Sequence, residues 1–188
     1  LEVGMDGGNY VPQSPVKTWE VRYGDCKAKT LLLLAMLKEL DIQAEPVLAH
    51  TALGDVVPLR VPSALAFNHI LVRATVGGEI LWLDGTGLGT RLADIKDTPP
   101  FGHLLPVRPE GAQLLKMELR RPARPTVELT VDADESTSVD LPSVASLSMV
   151  VRGELANTLI LAKSRLPEDD QRDVIDTMLQ AFVGEAQY

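Results

Sequence analysis

A cysteine followed at once by a leucine-rich run, at residues 24–40, constrains this chain more than any other feature. Asp25 is a favourable N-cap, because its carboxylate can accept the free N–H groups of the first helical turn. Cys26, the one cysteine of the chain, then stands at the first helical position, beside the positive end of the helix dipole. The leucines cover nearly every side of this helix, which predicts a central helix that is buried on all sides. A thiol at the exposed end of such a helix suits a nucleophile, because it is held rigidly and can still be reached.

The dipole of a helix does not by itself make a cysteine a catalytic nucleophile. A helix end is worth about 0.3–1 kcal/mol to a charge placed there, which is less than the roughly 1.36 kcal/mol of one pKa unit. Catalytic cysteines are activated further by a cationic neighbour, and a lone cysteine is more often a small buried apolar residue. A catalytic interpretation therefore requires a histidine and a group that orients it.

Two neighbouring strands are predicted to supply both groups. The pair Gly-Gly at 77–78 separates two apolar runs, 68–75 and 79–84, and such a pair is a hairpin signal. With these glycines as the turn, His69 and Asp84 become diagonal neighbours on one face of the hairpin. Diagonal Cα atoms lie about 7–8 Å apart, which is within reach of long side chains.

These positions predict a catalytic triad. Cys26 would be the nucleophile, His69 would take its proton, and Asp84 would fix the imidazole tautomer and stabilise its positive charge. The backbone N–H of Cys26, with one further donor, could hold an oxyanion. The spacing does not choose among three candidates for that donor or for substrate contact, which are Trp19, Tyr10 and Gln13.

The same residues resemble the bacterial transglutaminase-like superfamily. The resemblance is carried by the segment 22–27 before the leucine-rich helix, by 42–47, by His69 on one strand and by 82–84 on the next. It implies an α+β fold with a papain-like core, in which a central helix packs on an antiparallel sheet. It also implies that Cys, His and Asp act in this order.

The resemblance covers about residues 8–108 and sets the expected domain organisation. Residues 1–108 would form the transglutaminase-like core, with the helices that normally precede it truncated. The proline- and arginine-rich segment 109–125 is expected to be an exposed linker. Residues 126–188 resemble the small β-rich module, here ending in two helices, that often follows this core in exported bacterial proteins.

The implied chemistry is cysteine-dependent acyl transfer or amide hydrolysis on a peptide or protein, with no cofactor and no metal. Water and an amine both remain open as the acyl acceptor. The alternative is a catalytically degenerate domain that serves as a binding or scaffold module of a larger protein. An exported or periplasmic bacterial protein is the expected setting on family resemblance alone.

Composition excludes several other classes of function. The formal net charge is −8, whereas a nucleic-acid-binding face must be basic. No apolar run reaches the roughly 20 residues of a membrane-spanning helix, so none is expected in this sequence. One cysteine excludes an intramolecular disulfide framework and a cysteine-rich zinc site.

Overall fold

The computed structural model describes residues 11–87, 90–134, 136 and 144–183. The chain has an α+β fold and divides into two compact units. The first unit holds the described residues up to Gly87 together with Arg91–Ala123, and the second continues from Arg124. All residues proposed for catalysis belong to the first unit.

The first helix, α1, spans Pro15–Val21 and lies where the sequence predicts a loop up to residue 18. The Ser14 hydroxyl caps it by accepting the Lys17 N–H at 3.3 Å, and proline occupies the first turn. Proline is favoured there because the first-turn N–H groups have no helical partner. The expectation of a loop was wrong because the many nearby Gly and Pro residues obscured a serine–proline helix start.

The cysteine helix, α2, spans Cys26–Glu39 as the sequence predicts, and its N-cap is Asp25. The prediction of a helix buried on all sides is wrong. Its buried residues are Cys26, Ala28, Thr30 and Leu37. The leucines at 31–34 are only half-buried, and Met36 is 39% exposed. A leucine run shows that a helix is apolar, but it does not show how many neighbours cover the helix.

Beneath α2 lies a five-stranded sheet in which every neighbouring pair is antiparallel. Its order is β3-β2-β1-β4-β5. In chain order the strands are β1 (Gln43–Ala49), β2 (His69–Val76), β3 (Glu79–Leu83), β4 (His103–Pro106) and β5 (Leu115–Lys116). The register of the β2–β3 hairpin, with Val72 opposite Leu83, is the predicted one. The sequence did not reveal β4, because this short strand lies in a stretch rich in Gly and Pro.

Both faces of the sheet are covered. On one face the α2 residue Leu37 packs with Val72 and Ala74. A second cluster of buried side chains joins Val47, Ala49, Leu71, Phe101, Leu104 and Met117, with Trp82 packed against it. The hairpin face that carries Val72 and Ala74 therefore packs against α2, but the opposite face is apolar as well, and the catalytic candidates lie beside it.

The expected linker 109–125 is for the most part integrated into the first unit. Met117 is 2% exposed and belongs to the larger core cluster. Strand β5 pairs with β4, and the Ala123 N–H donates to the Asp97 carboxylate at 3.0 Å. The prolines lie outside the paired residues, so they do not prevent the segment from adding an edge strand.

The second unit contains a two-stranded antiparallel ribbon and two helices. The ribbon joins β6 (Val127–Asp134) to β7 (Val144–Val151), and the helices are α3 (Glu154–Arg165) and α4 (Glu168–Val183). These elements match the strands and helices predicted for the C-terminal module. Within the described part of the chain, no helix combines the length and the apolar character needed to cross a bilayer.

Candidate active site

The cysteine lies where the capping of α2 places it. Asp25 Oδ1 accepts the Ala28 N–H at 2.9 Å, and Asp25 Oδ2 pairs with Lys27 Nζ at 2.6 Å. Burial opposes ionisation of Asp25, but these partners hold its pKa below the ordinary value. The carboxylate next to Cys26 is therefore balanced by Lys27, which limits its repulsion of a thiolate.

His69 and Asp84 form the contact that the hairpin register predicts. His69 begins β2, Asp84 directly follows β3, and His69 Nε2 lies 2.6 Å from Asp84 Oδ2. The His69 side chain is 1% exposed and that of Asp84 is 22% exposed. A short bond at this depth is screened little by water, so it both orients the ring and favours its charged form.

The second oxygen of Asp84 is occupied by Thr86, a residue that the sequence pattern had not singled out. Asp84 Oδ1 accepts the Thr86 backbone N–H at 2.8 Å and the Thr86 hydroxyl at 2.6 Å. Burial raises the pKa of Asp84, but hydrogen bonds from His69 and Thr86 and the His69 charge outweigh it and lower the pKa. The sequence did contain a signal for this contact. Asp-Gly-Thr is typical of a turn in which the aspartate carboxylate accepts the backbone N–H of the residue two positions later.

The surroundings of His69 favour its protonated form. Burial lowers the pKa of His69, but the hydrogen bond and charge of Asp84, together with the Cys26 side chain, raise it to about 9. Nε2 is committed to Asp84, and the buried Nδ1 has no hydrogen-bond partner among the described residues. The Cys26 side chain is near enough to the imidazole to contribute to this rise in pKa. Nδ1 is therefore the imidazole nitrogen that Asp84 does not occupy.

Two further contacts hold His69 in place. The ring of Phe101 meets the imidazole edge to face, with centroids 5.6 Å apart and an interplanar angle of 72°. The buried Thr30 hydroxyl, one turn after Cys26 on α2, donates to the Ile70 carbonyl at 3.2 Å. This bond ties the helix of the cysteine to the strand of the histidine, so it fixes the relative position of the two side chains.

We expect Thr30→Val to lower the free energy of unfolding by about 1 kcal/mol, the net value of a typical intramolecular hydrogen bond, because the added methyl group cannot donate to the Ile70 carbonyl. Urea unfolding would measure the change. Thr75→Val is the matched control, since Thr75 lies on the same strand as His69 and is partly exposed. An equal loss in both variants would show that the Thr30 bond contributes nothing specific.

The candidates for a second oxyanion donor have other contacts. The Gln13 amide donates to Thr18 Oγ1 at 3.1 Å and to the Tyr23 carbonyl at 3.0 Å. The Trp19 side chain is 49% exposed, and the Arg22 guanidinium lies 3.7 Å from its ring centroid. Tyr10 lies outside the described residues. The backbone N–H of Cys26, at the first turn of α2, remains a donor without a carbonyl partner in the helix.

The site is closed to solvent at the thiol. Cys26 is fully buried at 0% exposure, so the prediction of a reachable thiol is wrong. A position at the end of a helix does not by itself show that the side chain reaches solvent. Across the described ranges, no group of three or more His, Cys, Asp and Glu side chains could hold a metal ion. The site therefore consists of a buried thiol, an imidazole whose raised pKa favours its charged form, and a carboxylate with hydrogen bonds on both oxygens.

Comparisons with family models, with curated proteins and with solved structures find no match for this chain.

Proposed function

We propose that this chain carries out cysteine-dependent acyl transfer or amide hydrolysis on a peptide or protein substrate. Its core would be of the papain- and transglutaminase-like kind. The proposal is carried by one observation, the 2.6 Å bond between His69 and Asp84 beside a cysteine that contributes to the raised histidine pKa. These are the relations that a Cys-His-Asp triad requires, since the base must be oriented and close to the nucleophile.

The proposed reaction has two halves. The Cys26 sulfur attacks the amide carbonyl carbon, and the resulting oxyanion accepts the Cys26 backbone N–H. The carbon–nitrogen bond then breaks, the departing amine takes a proton from the His69 imidazolium, and a thioester remains. Water or a second amine next attacks the thioester and passes a proton to His69. The carbon–sulfur bond breaks and the thiolate–imidazolium pair is restored.

The elements that carry these groups support the assignment. Cys26 begins a helix that packs on an antiparallel sheet, and the two adjacent strands of that sheet place His69 and Asp84. Lys27 is paired with Asp25, so its charge is already balanced beside the thiol. Ionised Asp84 stabilises the imidazolium at each step in which His69 is protonated, without itself being protonated.

The burial of Cys26 favours a second candidate function, a catalytically inert domain used for binding. A buried thiol that no reagent reaches is a structural residue. Reactivity of the folded protein therefore separates the two functions.

Alkylation of Cys26 by iodoacetamide at pH 6.5, followed by intact-mass spectrometry, is the direct test. Because Cys26 is buried, the reagent must reach it through local opening of the folded protein. We expect that reaction to occur, and its rate to fall at least about ten-fold in His69→Ala, because the paired cation that favours the thiolate is gone. His50→Ala is the matched control, because the His50 Nδ1 serves a local turn by accepting the N–H groups of Ala52 and Leu53.

Two outcomes would reject the catalytic proposal. One is a Cys26 that reacts only after urea unfolding, and the other is an alkylation rate that does not change in His69→Ala. If Cys26 does react, peptides containing glutamine, supplied with and without a primary amine, identify the acyl acceptor. Amine incorporation indicates transamidation, whereas ammonia release without amine incorporation indicates deamidation.

A further inference from the structure

The Asp84 carboxylate is fixed from two sides, and only one of these is the histidine. Oδ2 meets His69 Nε2, while Oδ1 accepts both the N–H and the hydroxyl of Thr86. We infer that Thr86 is a positioning residue of the candidate triad. It acts through Asp84 by holding the carboxylate in the one orientation that presents Oδ2 to the imidazole. The inference rests on the proposed function for its kinetic consequence.

Asp84 needs such a partner because the sheet does not hold it. Strand β3 ends at Leu83, so Asp84 lies just beyond the last ladder pair. The terminal torsion of an aspartate is broad and roughly two-fold. Without a second anchor the carboxylate could turn about that torsion, and the 2.6 Å bond to His69 would be made for only part of the time. Two donors from one residue remove that freedom.

The turn that contains Thr86 is itself seated on the cysteine helix. Gly85 lies between Asp84 and Thr86, and a Cβ atom at Gly85 would come within 3.2 Å of the Lys29 Cβ. Lys29 is on α2, one turn after Cys26. The 84–86 turn therefore rests directly on the element that carries the nucleophile, and its position is coupled to that of the thiol.

The Thr86 hydroxyl also affects the ionisation of Asp84. Burial raises the pKa of Asp84, and the interactions with His69 oppose this effect most. Both Thr86 donors add to that opposition, because they favour the ionised carboxylate. An ionised and oriented Asp84 in turn supports the imidazolium. A purely structural turn would need only the backbone N–H of Thr86, which every variant except proline retains. The side-chain hydroxyl is the part that the inference concerns.

The experiment follows His69 by NMR in protein labelled with ¹⁵N-histidine, a measurement that needs no substrate. We expect Thr86→Val to move the His69 Nε2–H proton upfield and to move the midpoint of the His69 titration towards the ordinary histidine value. Thr86→Ser, which restores the hydroxyl, should recover both. Alkylation of Cys26 should slow about ten-fold in Thr86→Val, the factor typical of one hydrogen bond to a charged group.

Unchanged His69 signals in a folded Thr86→Val protein would overturn the inference. If valine prevents folding, Thr86→Ala removes the hydroxyl without placing a methyl group against the carboxylate, and the same signals decide. The two proposals fail separately. Alkylation that depends on His69 but not on Thr86 overturns the positioning role alone. His69 signals that respond to Thr86 in a protein whose Cys26 never reacts overturn catalysis alone.

Discussion

Asp84→Asn should leave the fold intact and reduce turnover by a factor on the order of 10². The asparagine is nearly isosteric and can still bond to Thr86 and His69, but it cannot balance a positive imidazole. In a serine protease triad the equivalent change costs about 10⁴ in kcat. A thiol ionises more readily than a hydroxyl, so a cysteine nucleophile needs less help and the expected loss is smaller.

Steady-state kinetics on a peptide amide would measure this loss. Asp41→Asn is the matched control, because it removes the same charge from an exposed residue outside the triad. Asp41 has a positive φ of 53°, which asparagine tolerates well. Equal turnover in wild-type protein and Asp84→Asn would remove Asp84 from the mechanism.

Asp84→Asn should also change how stability depends on pH. The pKa of His69 is raised to about 9 in the folded protein, whereas an unfolded histidine titrates near about 6.5. The folded state then binds more protons between these values, so His69 adds stability that is complete below pH 6.5 and is lost as pH rises towards 9. Without the Asp84 charge this decline should become shallower, which urea unfolding at pH 6, 7.5 and 9 would measure.

Features set by local chemistry could be predicted from the sequence. The Asp25 cap depends on residues within one turn of α2, and the register of the β2–β3 hairpin depends on the glycines at 77–78. That register alone brings His69 to Asp84. Two of the three candidate triad residues could therefore be paired from spacing, because the contact spans a single tight turn.

Features set by distant pairing could not be predicted. Arg108 donates to Glu45 across 63 positions of sequence, and nothing in the local sequence around either residue indicates this pair. Phe101 lies in a stretch whose apolar residues follow neither helical nor strand spacing, yet it packs on His69. The closure of the site over Cys26 belongs to the same class, because burial depends on every neighbour at once. The sequence indicated which side chains could react but not what surrounds them.

We expect Gly54→Ala to lower the free energy of unfolding by about 3 kcal/mol, because the added methyl group overpacks a buried position. Gly54 is buried in a short 3₁₀ helix, Gly54–Leu59, that lies against the residues preceding β4. An added Cβ would overlap the carbonyl oxygen of Phe101 and lie 2.5 Å from its carbonyl carbon. Backbone atoms cannot rotate away as a side chain can, so the chain at Phe101 must move.

That movement links a loop glycine to the candidate active site, because Phe101 packs on the His69 ring. Urea unfolding should show the loss of stability, and the NMR signals of His69 should shift in the protein that remains folded. Gly111→Ala is the control. It has a positive φ of 84° but no atom within 4 Å of the new methyl group, so it reports the backbone cost alone, about 1 kcal/mol. Gly54→Ala must exceed this control in its loss of free energy of unfolding if the idea is to stand. An equal loss would show that the Gly54–Leu59 helix does not pack on Phe101 and gives no support to His69.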